Sequence, residues 1–133
     1  MSKPNLPIVC LVDDDSSVRR SLSRLLESAG FEAQAFTQPE TFLAHLSTHF
    51  VAVAILDIWM EKMTGMELLA HLCARSPRTR AIFITGHEDV AAKSVVMRAG
   101  AFAFFLKPVN EDELLSAVRR ACNGASPARA DNH

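Results

Sequence analysis

Apolar runs and amphipathic runs alternate five times along this chain, and a polypeptide with that rhythm has few folds open to it. Ile8-Val9-Cys10-Leu11-Val12 is continuously apolar, the pattern of a strand buried on both faces. Val18, Leu22, Leu25, Leu26 and Ala29 then recur at helical spacing, and Gly30 closes the segment as a C-cap. Residues 31–36 read as a second strand, less uniformly apolar and therefore expected at a sheet edge. Pro39 suits the first turn of the next helix, with Thr37 as its capping candidate and Phe42, Leu43 and Leu46 as its stripe. Residues 51–56 are the most strand-like run, followed by a loop to Gly65 and a helix expected to bury Met66, Leu69, Leu72 and Cys73. Residues 81–85 and 102–106 supply strands four and five. Their helices run over 90–99, closed by Gly100, and through Leu114, Leu115, Val118 and Cys122.

Five such units imply a parallel sheet with helices on both faces, and 133 residues have room for one domain. Residues 6–123 are expected to form it, with 124–133 as a flexible tail or linker stub marked by Gly124, Ser126 and Pro127. No stretch approaches the roughly 20 apolar residues that span a bilayer, and residues 1–6 show no signal peptide, so a cytoplasmic protein with no membrane partner is expected. A net charge of -1 gives no electrostatic case for direct nucleic-acid binding. Cys10, Cys73 and Cys122 form no CxxC pair and read as reduced thiols, buried or partly buried. His45 and His49 share metal-ligand spacing but lack a third ligand, and read as a solvated helix face.

Doubly wound sheets bind ligands beyond the carboxyl ends of their strands. At those ends this chain places Asp13, Asp14 and Asp15 after strand one, Asp57 after strand three, Thr85 after strand four and Lys107-Pro108 after strand five. Adjacent carboxylates repel one another unless a cation or proton compensates. A hard divalent cation such as Mg2+ answers that need with carboxylate, carbonyl and water oxygens. It would hold one oxygen of an incoming phosphoryl group while Lys107 and Thr85 bind the others, and a carboxylate would be left to attack phosphorus. Asp and Thr also favour helix N-caps, a plainer role open to Asp15 and Ser16.

Leu11-Val12-Asp13-Asp14-Asp15, Leu56-Asp57, Ile84-Thr85-Gly86-His87 and Leu106-Lys107-Pro108 resemble the defining motifs of response-regulator receiver domains from bacterial two-component systems. Thr85 to Val90 and Met97 to Ala101 are most similar to N-terminal receivers of nitrogen-fixation-type transcription regulators, which carry a helix-turn-helix output domain. The resemblance implies a flavodoxin-like doubly wound (βα)5 α/β fold with strand order 2-1-3-4-5. It implies a regulatory phosphoacceptor, catalysing only its own phosphorylation and dephosphorylation. Asp57 would take the phosphoryl group from a sensor histidine kinase. Mg2+ would be held by Asp13, Asp14, Asp57 and the Trp59 backbone carbonyl. Thr85 would move onto the phosphate, Lys107 would be its counter-ion, and Phe104 would be the aromatic switch, with a plain core aromatic as the other reading. The switch would remodel the face of helix four, strand five and helix five, control transcription through an output domain, and promote a homodimer through helix four and strand five. Ser17, Arg20, Ser21 and Arg24 are candidates for kinase specificity.

Two positions depart from the family pattern. Met60 is followed by Glu61 where relatives have proline, which frees the loop and adds a carboxylate expected to face solvent. Trp59 stands where most relatives have a polar or smaller residue. It would either shield the phosphoaspartate from water, with His87, or serve as a surface contact for a partner. The rival enzyme is a haloacid-dehalogenase-type phosphatase, whose Asp-x-Asp nucleophile motif Asp13-Asp14-Asp15 superficially fits. Such enzymes need no aspartate after strand three. A flavin module would want a phosphate-binding loop where this chain has three acids. A degenerate receiver used only as a docking module is the third rival, although all five chemical positions are filled; a stand-alone receiver without an output domain is a further alternative.

Overall fold

The computed structural model describes residues 6–86 and 89–124; His87 and the tail beyond Gly124 lie outside the described residues. The elements are β1 (Ile8–Val12), α1 (Ser16–Ser28), β2 (Glu32–Phe36), α2 (Pro39–Leu46), β3 (Val53–Asp57), α3 (Gly65–Arg75), β4 (Arg80–Thr85), α4 (Val90–Arg98), β5 (Ala103–Leu106) and α5 (Glu111–Cys122). The strands form one sheet of order β2-β1-β3-β4-β5, every neighbouring pair parallel. This is the flavodoxin-like architecture that the family resemblance implies, with the less apolar β2 at an edge.

Two cores explain why β1, β3 and β4 read as unbroken apolar runs. Cys10, Val12, Ala54, Leu56, Ala81 and Phe83 face a cluster closed by α2, α3 and α4. The alternate residues Val9, Leu11, Val53, Ile55, Ile82 and Ile84 face the cluster closed by α1 and α5. With apolar neighbours on both sides of the sheet, no polar residue fits between them. Because helices return antiparallel to the strands, every helix N-terminus lies at the edge where the strands end. Gly30 and Gly100 take the positive φ values, 93° and 111°, that turn the chain out of α1 and α4.

Three expectations need correction. The N-cap of α2 is Gln38, which makes no side-chain capping bond, and Thr37 lies one residue too early. The buried stripe of α3 is Gly65, Leu68, Leu69 and Leu72. Met66 is only half-buried and Cys73 is exposed, because the sheet-facing side of the helix is rotated from the one expected. The third strand starts at Val53, since the Val51 carbonyl is taken by the Thr79 hydroxyl at 2.8 Å before the ladder begins.

Ile55 sits at the centre of the sheet with 1% of its surface exposed. Truncation to alanine removes its packing from between rigid neighbours, so Ile55→Ala is expected to cost about 3 kcal/mol in urea unfolding.

Candidate functional site

The strand order places the ends of β1, β3, β4 and β5 side by side, and the polar residues that the sequence singled out gather there. Asp57 is the last residue of β3, in register with Ile84 of β4. Asp13 follows β1 directly and is 2% exposed; Asp57 is 6% exposed and Thr85, the last residue of β4, 1%. Asp14 is exposed beside them. One carboxylate oxygen from each of Asp13, Asp14 and Asp57 lies within 4.8 Å of the others. Asp15 is not part of this set. It caps α1, accepting from the Ser17 amide at 2.9 Å and the Ser17 hydroxyl at 2.8 Å, which hold its carboxyl below the usual range.

Lys107, half-buried just after β5, is the cation paired with these acids among the described residues. Its Nζ lies 2.9 Å from Asp13 Oδ2 and 3.5 Å from Asp57 Oδ2. Its amide donates to the Thr85 carbonyl at 2.7 Å, tying the ends of β4 and β5 together. Burial pulls the ammonium pKa down, but Asp13 and Asp57 outweigh it and hold it above the ordinary value. One ammonium does not balance three carboxylates. Burial, followed by the charge on Asp13, pushes Asp57 from 3.8 up to about 6, against the opposing pull of Lys107 and the Trp59 amide. That amide donates to Asp57 Oδ1 at 3.3 Å.

Asp13 Oδ1 accepts from the Asp15 amide at 2.9 Å. Its Oδ2 is buried and meets Lys107 as an ion pair, yet takes no hydrogen bond of good angle. A buried carboxylate oxygen with an open coordination direction, in an all-oxygen set of three acids, suits a hard divalent cation. The set can hold a metal.

Trp59 is 42% exposed at the mouth of the site. Glu61 is exposed and lines a small cleft with Asp14, Gln38 and Lys62. Phe104 is half-buried on β5, packed towards the α4 side, with Lys93 Nζ 6.0 Å from its ring centroid. His45 and His49 stack with ring centroids 4.2 Å apart, away from any third ligand among the described residues.

Two supports of the site escaped the sequence reading. Gly65 begins α3 against the end of β3, its amide donating to the Ile58 carbonyl at 2.7 Å. A Cβ there would stand 2.6 Å from the Asp57 carbonyl oxygen and 2.8 Å from the Phe83 ring. Thr64 and Glu67 form a reciprocal capping box at the same helix start. The spacing Thr64-x-x-Glu67 was available as a signal for it.

The comparisons with known proteins agree with this geometry. The chain belongs to the response regulator receiver domain family, whose model matches residues 9–119. It is 33% identical over 124 residues to the response regulator protein TodT of Pseudomonas putida, covering 93% of this chain and 55% of that protein. It is 36% identical over 123 residues to the transcriptional regulatory protein FixJ of Rhizobium meliloti, covering 92% and 60%. The solution structure of the beryllofluoride-activated NtrC4 receiver domain dimer superimposes with a TM-score of 0.84 at 28% identity, covering 88% of this chain and 97% of that one. The chain thus spans little more than half the length of the two regulators. Membership of this family leaves the phosphatase and flavin-module readings without support.

The unbalanced carboxylates have a cost that stability can report. With its folded pKa raised from 3.8 to about 6, Asp57 binds a proton more tightly in the folded chain than in the unfolded one. Stability of the metal-free protein should therefore fall as pH rises through that window and stay low above it. Asp57→Asn is expected to stabilise the metal-free protein by about 1–2 kcal/mol at pH 8, and far less near pH 4, in urea titrations. Gly65→Ala should lower stability by about 2 kcal/mol or more, since backbone rather than a flexible side chain meets the new methyl.

Proposed function

We propose that this domain is the phosphoacceptor of a two-component signalling pathway, taking a phosphoryl group on Asp57 from a phosphohistidine of a sensor kinase. The observation that supports it best is the Asp57 carboxylate at a strand end, flanked by Lys107 Nζ at 3.5 Å and by two further carboxylates. A carboxylate oxygen of Asp57 attacks phosphorus, the phosphorus–nitrogen bond breaks, and its electron pair returns to the histidine imidazole. Asp13, Asp14, Asp57 and the Trp59 carbonyl are the residues that would hold Mg2+. When bound, the ion supplies charge neutralisation for the transferring phosphoryl oxygens. Lys107 neutralises a second oxygen and Thr85 donates its hydroxyl to a third. The domain is regulatory, and its only chemistry is gain and loss of its own phosphate.

The output rests on what Thr85 and Phe104 do next. Drawing Thr85 towards the phosphate vacates space into which Phe104 turns, and the face of α4, β5 and α5 changes shape. Val90 and Leu106 already stand exposed on that face, lining with Phe104 and Lys93 a cleft of about 430 Å3. A second copy of the domain docking through α4 and β5 would cover them. In the whole protein, which carries this receiver in the cytoplasm, the change would control transcription through an output domain.

Incubation with acetyl phosphate and Mg2+ should add about 80 Da by mass spectrometry, and Asp57→Asn should abolish the gain. A gain that persists in the variant contradicts the assignment. Trp59 is read as a shield over the acyl phosphate: Trp59→Asn should lose phosphate several-fold faster than the wild type. Equal or slower loss sinks that role and leaves the indole as a partner contact.

A further inference from the structure

Arg19 lies outside the acidic set, in the first turn of α1, yet its side chain turns back to the site. Its Nη1 donates to the backbone carbonyl of Asp13 at 2.7 Å, shorter than any other polar contact of Asp13 among the described residues. Asp13 scarcely needs this bond for its own sake. Its amide already donates to the Phe36 carbonyl at 3.2 Å, Oδ1 takes the Asp15 amide at 2.9 Å, and Oδ2 pairs with Lys107 at 2.9 Å.

Asp14 is in the opposite position. It is exposed, and its side chain makes no hydrogen bond or ion pair among the described residues. Its carboxylate stands within 4.8 Å of Asp13 and Asp57 only because its backbone places it there. The peptide plane that leads into Asp14 carries the carbonyl of Asp13, the group that Arg19 holds. A charged donor on that oxygen fixes the plane at the point where the chain leaves β1 and has lost its ladder partners. Arg19 has no ion pair with any described acid, and this bond is the one hydrogen bond that its side chain makes among the described residues.

We infer that Arg19 is a positioning residue for the acidic site, setting the direction from which the Asp14 carboxylate meets a bound cation by holding the Asp13–Asp14 peptide. This rests on the reading of Asp13, Asp14 and Asp57 as a Mg2+ site, and goes beyond it by naming what orders the exposed member. The opposite effect is the guanidinium's own positive charge, which repels a cation. That effect is the weaker one. Arg19 is half-exposed and solvent-screened, and its contact is with the backbone rather than with a carboxylate.

The test is a double-mutant cycle read as Mg2+ affinity, followed by the fluorescence of Trp59, the only tryptophan in the chain. Arg19→Met is expected to weaken Mg2+ binding by about tenfold, as loss of a group that orients a metal ligand does. Arg19→Lys, which retains a charged donor, should recover most of it. In an Asp14→Asn background Arg19→Met should have almost no further effect. Wild-type protein that fails to bind Mg2+ contradicts the metal-site reading itself. Wild-type binding with unchanged or tighter binding by Arg19→Met overturns the role of Arg19 alone. So does an undiminished loss in the Asp14→Asn background, because the residue would then act on the fold in general. Circular dichroism checks folding, and Arg19→Gln replaces Arg19→Met in the same cycle if the methionine variant does not fold.

Discussion

Three carboxylates share one ammonium at the edge of this sheet, and much of the rest of the structure is arranged to make that imbalance tolerable. Lys107 bridges Asp13 and Asp57 across the ends of β1, β3 and β5, so all three strands must finish at one level. The parallel connection delivers this, because each helix carries the chain back to start the next strand at the far edge. It also points the N-termini of the helices, with their partial positive charge, towards the acidic end. Gly65 lets one of those helices approach the backbone of Asp57 more closely than any other residue would. What remains uncompensated appears as the raised pKa of Asp57, a cost placed where a cation can relieve it.

The same contacts link the site to the opposite side of β5. Thr85 ends β4, and its carbonyl holds the Lys107 amide at the end of β5. Phe104 lies three residues before that lysine on the short strand, packed towards α4, with the exposed apolar residues Val90 and Leu106 lining the same cleft. In the proposed switch, a displacement at Thr85 would act on a strand of four residues that borders a cleft of mixed polar and apolar lining.

Much of this was legible in the sequence because it depends on local pattern. Continuous apolar runs announced β1, β3 and β4, since a strand buried on both faces has nowhere to put a polar residue. The acids, Thr85 and Lys107 stood out because each interrupts such a run at its end. Residues whose role depends on packing were harder. The buried stripe of α3 was misplaced onto Met66 and Cys73, as several apolar residues in one helix leave its rotation undetermined until the sheet is present. The closeness of Gly65 to Asp57 and the reach of Arg19 to the Asp13 carbonyl are products of tertiary geometry. A helix-starting glycine and a first-turn arginine carry no pattern of their own. Nor did the sequence separate Asp13 from Asp14, one buried and paired, the other exposed and held by its backbone.

The acidic cluster is short of positive charge, and in the proposed function Mg2+ supplies it. The most direct measurement is a titration of the Asp57 carboxyl carbon by NMR in metal-free protein and at saturating Mg2+. An apparent pKa of about 6 is expected without metal, falling by more than about one unit when the ion is bound. An ordinary carboxylate pKa near 3.8 in the metal-free protein, or a raised one that Mg2+ leaves unmoved, would contradict it.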